Sequence, residues 1–307
     1  MGKKAALPAL LVFVCLTAAA EAAGPFQVRQ PATRTGIDPE AYNVVGEPQR
    51  HVIRKGENLL DLAQHYGLGY NNLGVMYRQW DPFIPPPGVE ITIPTRWIVP
   101  DSRGRDIIVN TGEMRLYFYK NNGTQVYTFP IGQGVLDFKT PTGVFRVVEK
   151  KVNPAWHIPK SLQAKYGMAV MPPGDDNPLG KYKLTLSWGD YGIHGTHMPL
   201  GVGRLVSHGC TRMYNEHIEK LFPMVPLGAT VEYIYEPAKV GFRHGRIFLS
   251  VHEDVYFRIR SMVFHVLNLL ENRGLGPYVD MRKVLQTVEE QNGMPVDVTK
   301  KAEGVGS

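Results

Sequence analysis

The sequence predicts a mainly β protein, preceded by a small α/β module and followed by an α-helical extension. Three observations carry this. From about residue 98 to 237, short apolar runs alternate with turn formers. Residues 50–95 read strand, helix, helix, strand, and apolar residues from Ile259 to Leu270 recur at helical spacing. The 307 residues contain 43% hydrophobic and 20% charged side chains, which excludes a largely disordered chain, and 32 Gly with 24 Pro fit many turns.

The first residues read as an export signal. Lys3 and Lys4 precede an apolar stretch from Leu7 to Leu16, and Ala20-Glu21-Ala22 fits a cleavage site. Residues 1–22 are therefore expected to be a signal peptide cleaved near Ala22. No later apolar run is long enough to span a bilayer. Cleavage removes two lysines, one glutamate and Cys15, so the formal charge falls from +6 to +5 and Cys210 becomes the single thiol. A modest positive balance suits an anionic wall polymer, and with no basic cluster no nucleic acid is implied. A lone cysteine in an oxidising compartment is a liability unless it is buried or used.

Residues 23–49 are turn-rich and expected to form a linker or irregular strap. In the module, His51 to Arg54 forms a strand, and Leu59, Leu62 and Ala63 mark a helix stopped by Gly67. A second helix is expected from Leu73 to Tyr77, and Val89 to Pro94 alternates as a strand. Trp80, Tyr70 and Tyr77 are candidates to stack on a sugar or to sit in the core. Over residues 98–237, strands fit Asp106 to Asn110, Arg115 to Lys120 and Gln125 to Phe129, with Asn121-Asn122-Gly123 as a hairpin turn. Further strands fit Gly143 to Glu149, Lys183 to Leu186 and Thr230 to Tyr235, and Asn215 is placed to cap a helix from Glu216 to Phe222. The extension over 238–307 begins with strands at Val240 to Phe242 and Ile247 to Val251. Two helices follow, the first capped by Asp254 and the second over 280–292, and the tail from Thr299 is expected to be disordered.

One stretch concentrates the chemistry. Tyr191-Gly192-Ile193-His194-Gly195-Thr196 is followed by Ser207-His208-Gly209-Cys210-Thr211-Arg212-Met213. A thiol with an ordinary pKa of about 8.5 becomes a useful nucleophile when an imidazole takes its proton. Gly209 before Cys210 permits a sharp turn whose N–H groups converge as an oxyanion hole. Three other readings of the residues stand beside this one: an inert buried cysteine, a zinc site built from His194, His197, His208 and Cys210, and a plain Gly-rich turn. The zinc reading is weakened because His194 and His197 lack the four-residue spacing of two ligands on one helix face.

These residues resemble the signature of the L,D-transpeptidase catalytic domain (YkuD-like), a His followed after a spacer by Ser-His-Gly-Cys-x-Arg. Lys139-Thr140-Pro141-Thr142-Gly143-Val144-Phe145, Asn153-Pro154-Ala155-Trp156 and the run from Pro172 to Gly180 resemble its ErfK/YbiS branch. Residues 50–95 resemble a LysM module, a family that binds N-acetylglucosamine-containing glycans. The resemblance implies a YkuD-like β-sandwich over 98–237 and a periplasmic cysteine acyltransferase with no cofactor and no metal. It implies that Cys210 attacks a peptidoglycan stem tetrapeptide and releases D-alanine. His194 would move the proton, its ring oriented by the Gly195 carbonyl, while N–H groups of His208, Gly209 and Cys210 would hold the oxyanion. The His208 side chain is expected mainly to order the loop. Arg212 and Ser207 are the expected substrate contacts, Ser207 also in a structural part, and Trp188, Tyr182 and Trp156 are candidates to line the cleft or the core. The acceptor amine would belong to a second diaminopimelate or to the lysine of a Braun-type lipoprotein. A hydrolase of the same fold, or a wall-binding protein without catalysis, are the alternatives.

Overall fold

The computed structural model describes residues 23–189 and 191–301, so the expected signal peptide lies outside the described residues. One sheet dominates. Its nine strands run in the order Phe26–Gln27, Gln125–Pro130, Arg115–Lys120, Ile107–Asn110, Thr230–Ile234, Gly143–Val152, Tyr182–Leu186, Gly192–His194 and Thr211–Arg212. The hairpin signalled by Asn121-Asn122-Gly123 pairs Lys120 with Gln125. Its far strand leads to Gly132, whose backbone exchanges two 2.8 Å hydrogen bonds with Arg212 at the opposite end of the sheet. The sheet thus folds over its own core as the expected β-sandwich.

Alternation decides what each strand residue touches. Ile107, Val109, Leu116, Phe118, Val231 and Tyr233 belong to the core of the catalytic domain. Ile108, Tyr117, Tyr119 and Ile234 face the other way and pack with the N-terminal module. Because side chains on a strand change face at every residue, strands covered on both faces read as unbroken apolar runs. Burying each such side chain is worth about 1.5–3 kcal/mol.

The module pairs Gln49–Val52 antiparallel with Glu90–Ile93 around helices α1 (Leu59–His65) and α2 (Tyr70–Met76). Asn58 caps α1, its Oδ1 accepting from Leu60 and Asp61 N–H at 3.1 and 2.9 Å. Helix α2 starts three residues before the expected Leu73, because Asn72 reaches back to accept from Gly69 N–H at 3.2 Å and sets the first turn there. The module is docked on the catalytic domain. Tyr70 N–H donates to the Val202 carbonyl at 3.1 Å, and Tyr214 hydroxyl to that of Leu68 at 3.1 Å. The Arg204 guanidinium covers the Tyr70 ring at 4.2 Å, so Tyr70 faces protein rather than a sugar.

Residues 23–49 form a strap rather than a free linker. Phe26–Gln27 joins the sheet edge, Val44–Gly46 pairs with Arg96–Ile98, and Ala41, Val44 and Val45 are buried. Helices α3 (Lys160–Tyr166) and α4 (Asn215–Leu221) belong to the catalytic domain. The extension is a hairpin of Ala238–Arg243 and Arg246–Val251 joined by Val296–Asp297, covered by α5 (Met262–Asn272) and α6 (Met281–Glu290). Ser261 rather than Asp254 caps α5. Asp254 is committed elsewhere: its carboxylate accepts from Arg258 N–H at 3.0 Å and from the Tyr235 hydroxyl. Nor is the tail free at Thr299, whose hydroxyl accepts from Ile247 N–H at 2.8 Å.

Two buried cations tie the three parts together. Arg115 donates to Thr128 Oγ1 and the Gly67 carbonyl, both at 3.2 Å, and stacks 4.4 Å over Trp97. Lys239 Nζ bonds both Glu113 oxygens at 2.7 Å, the Tyr117 hydroxyl at 3.1 Å and the Ile98 carbonyl.

Candidate active site

Cys210 immediately precedes the strand Thr211–Arg212, and His194 ends the neighbouring strand. The two strands are parallel, with Ile193 opposite Thr211 and His194 opposite Arg212. Alternation then puts His194, Arg212 and Cys210 on one face and Ile193 and Thr211 on the other. Ile193 indeed lies in the core, and Thr211 Oγ1 bonds the buried Tyr233 hydroxyl at 2.9 Å. A strand spacing of about 4.8 Å and a two-residue step of about 6.7 Å place the His194 and Cys210 α-carbons roughly 8 Å apart, within reach of facing side chains.

His194 is buried, and its Nδ1 lies 2.7 Å from the Gly195 carbonyl oxygen. A carbonyl only accepts, so Nδ1 carries the proton and Nε2 keeps its lone pair. Burial lowers its pKa to about 3, against the Gly195 bond and aided by the Arg212 charge, so the ring is neutral at ordinary pH. The turn that follows is clamped at Thr196. Asn215 Oδ1 accepts from Thr196 N–H at 3.0 Å and its Nδ2 donates to the Thr196 carbonyl at 2.9 Å. A Cβ on Gly195 would stand 2.3 Å from Asn215 Oδ1, so the close approach requires glycine. This corrects the expected capping role: Asn215 is the first residue of α4 and spends its side chain on the His194 loop.

The nucleophile loop holds itself in shape. Ser207 Oγ accepts from Gly209 N–H at 3.1 Å and donates to the Cys210 carbonyl at 2.6 Å. Ser207 is buried, so the expectation that it contacts substrate is corrected: its hydroxyl is consumed inside the turn. The same bond corrects the expected oxyanion set, since the Gly209 N–H is already committed to Ser207. Gly209 has φ +109°, and a Cβ there would lie 2.4 Å from Tyr191 Cε1. His208 is exposed, its ring 4.7 Å from that of Phe138.

Arg212 stands beside this pair. Its Nε is buried without a hydrogen-bond partner among the described residues. Burial lowers its pKa, while the nearby Cys210 and Tyr166 favour its charge, and an arginine stays cationic at physiological pH. Tyr166 comes from an arm, residues 153–180, that leaves and rejoins the sheet. Asn177 ties the arm's base, donating to the carbonyls of Pro154 and Pro172 at 3.0 Å each. Helix α3 on this arm was not foreseen, although Pro159 before it and Gly167 after it, at φ +65°, are start and stop signals. Trp156 packs edge-on against Tyr166, and Tyr182 packs at a tilt against Phe222. Trp188 is half exposed and stacks between Phe145 and Tyr191 at 5.0 Å each, beside the nucleophile loop.

A cysteine and a neutral, carbonyl-oriented histidine on one sheet face define a cysteine acyltransferase arrangement, and comparison with known proteins agrees. Residues 104–233 match the family model of the YkuD L,D-transpeptidase catalytic domain. The probable L,D-transpeptidase YcfS of Escherichia coli K12 is 33% identical over 86% of this chain and 88% of its own length. The probable L,D-transpeptidase YbiS of the same strain is 33% identical over 92% and 97%. A solved structure, the Ldtfm-avibactam carbamoyl enzyme, overlaps 43% of this chain and 49% of that one at 25% identity and a TM-score of 0.35. Membership rests on the near full-length relatives: the chain belongs to the L,D-transpeptidase family, the cysteine acyltransferases of peptidoglycan.

Proposed function

We propose that the protein is a periplasmic L,D-transpeptidase in which Cys210 is the nucleophile and His194 its base. The carrying observation is the parallel register that puts both on one face, with His194 fixed as the Nδ1–H tautomer. The Cys210 thiol gives its proton to His194 Nε2, and sulfur bonds to the carbonyl carbon after the third residue of a stem tetrapeptide. The carbon–nitrogen bond to D-alanine breaks, and His194 returns the proton to the leaving amine. In the second half an acceptor amine attacks the thioester, His194 takes its proton, and the thiol is restored. Backbone N–H groups of His208 and Cys210 hold the oxyanion, and Arg212, whose Nε–H has no partner among the described residues, offers a cation to a stem carboxylate.

The acceptor we favour is the lysine of a Braun-type lipoprotein, on the likeness to the ErfK/YbiS branch, with a second diaminopimelate as the other amine. Periplasmic placement rests on the export signal read in residues 1–22. The module over residues 50–95 supplies affinity for the glycan strand. Incubation with disaccharide-tetrapeptide and each acceptor, followed by mass spectrometry of the products, tests this. Lipoprotein-linked stems are expected. Stems trimmed to tripeptides alone, with both amines in excess, would make the protein a hydrolase.

A further inference from the structure

The chemistry of the site leaves one part of the molecule without a task. The extension after residue 237 lies beyond the stretch matched to the catalytic family, 104–233. Yet one of its residues is fully buried behind the nucleophile loop. Tyr256 donates its hydroxyl to the Gly134 carbonyl at 2.7 Å and accepts from Thr140 N–H at 3.2 Å. Thr140 closes the circuit, since its Oγ1 accepts from Gly134 N–H at 2.9 Å and donates to the Gly209 carbonyl at 3.0 Å. The Tyr256 ring is itself held, stacked on Tyr235 at 5.8 Å, with Arg258 5.4 Å from its centre on the other contact. Lys139 Nζ donates to the Tyr256 carbonyl at 3.2 Å.

The Gly209 carbonyl matters because of the bond it belongs to. A trans peptide is planar, and its C=O and N–H point in opposite directions. Whatever holds the Gly209 oxygen therefore aims the Cys210 N–H. Gly209 sits at φ +109°, where glycine offers little resistance to rotation of that peptide. Ser207 holds the groups on either side of that peptide, and the Thr140 hydroxyl holds its oxygen from outside the loop.

We propose that Tyr256 is a positioning residue: through Thr140 it fixes the Gly209–Cys210 peptide so that the Cys210 N–H points at the developing oxyanion. The extension is thereby part of the acyl-transfer apparatus, although it touches no reacting atom. This rests on Cys210 being the nucleophile.

The test separates aiming from general support of the loop. Acylation of Cys210 by a carbapenem builds an oxyanion, whereas alkylation by iodoacetamide is a displacement at saturated carbon and builds none. Removing an oxyanion donor costs roughly 100–1,000-fold, so mis-aiming one by deleting a hydroxyl two bonds away is expected to cost about tenfold. In Tyr256→Phe the carbapenem acylation rate should fall about tenfold, with iodoacetamide alkylation within about twofold of the parent. Thr140→Val should repeat this pattern, Thr140→Ser should restore acylation, and these two decide the matter if Tyr256→Phe does not fold. Unchanged acylation, or a parallel fall of both reactions, overturns the proposal. A parent protein that carbapenem never acylates at Cys210 would instead refute the nucleophile assignment itself.

Discussion

His194 and His208 both precede the same thiol in the chain, and the structure gives them different surroundings. His194 is buried, neutral and oriented by a carbonyl, while His208 is exposed against Phe138. Loss of a general base costs about 100–10,000-fold. His194→Gln should therefore suppress carbapenem acylation by at least about 100-fold and His208→Gln by much less. Timed intact-protein mass spectrometry measures both. A larger loss in a folded His208→Gln would reverse the assignment. The spacing of His194 and Cys210 was legible in the sequence because the motif is local. Asn215 and Tyr256 were not, because their partners lie 19 and 116 or more residues away and no pattern of composition links them. Of the two parts expected for Ser207, its bonds show the structural one; a hydroxyl beside a nucleophile looks available to substrate until its bonds within the turn are seen.

At the level of elements, strands were the easiest to read and the joints between parts the hardest. The apolar runs at Ile107 and Leu116 follow from burial on both faces, but nothing in them says that the N-terminal module supplies the second cover. Glu113 and Lys239, which join the sheet to the extension, look like surface residues in the sequence and are almost wholly buried. Breaking a buried pair typically costs about 3–5 kcal/mol, because the partner is left charged and unpaired. Lys239→Met should lower the melting temperature by roughly 10 °C, and adding Glu113→Gln should restore part of it. No loss on melting the single variant would show that the pair does not hold the joint. The glycan affinity proposed for the module is best tested without deleting it, since α1 covers the sheet. Its exposed Phe83 and Ile84 are suitable targets. The Cys210→Ala chain should sediment with purified sacculi, and Phe83→Ser with Ile84→Ser should reduce this severalfold. Sedimentation unchanged by both substitutions would make the module a spacer.

Over the whole molecule, the buried His194 and the partly buried His217 and His252 make stability depend on pH. Burial lowers the pKa of His194, His217 and His252 to about 3 each. His252 stands 3.7 Å from Glu113, which would favour its charge, but burial and the charges of Lys239 and Arg115 prevail. The unfolded chain binds these protons near pH 6.5 and the folded chain refuses them until about pH 3. Their contribution is thus complete above pH 6.5 and is lost as pH falls. Each should cost roughly 2 kcal/mol by pH 5. Melting temperature measured from pH 7.5 to 5 should fall steadily, and a flat or rising profile would contradict the burial of these rings. The same burial keeps the His194 ring neutral, with Nε2 unprotonated, at ordinary pH. The central claim is most directly tested by mixing the protein with disaccharide-tetrapeptide and recording intact mass and free D-alanine together. The account predicts an adduct on the Cys210 peptide equal to the donor less D-alanine, with D-alanine released in step and both absent from Cys210→Ala. Release of D-alanine by Cys210→Ala at the parent rate would contradict it.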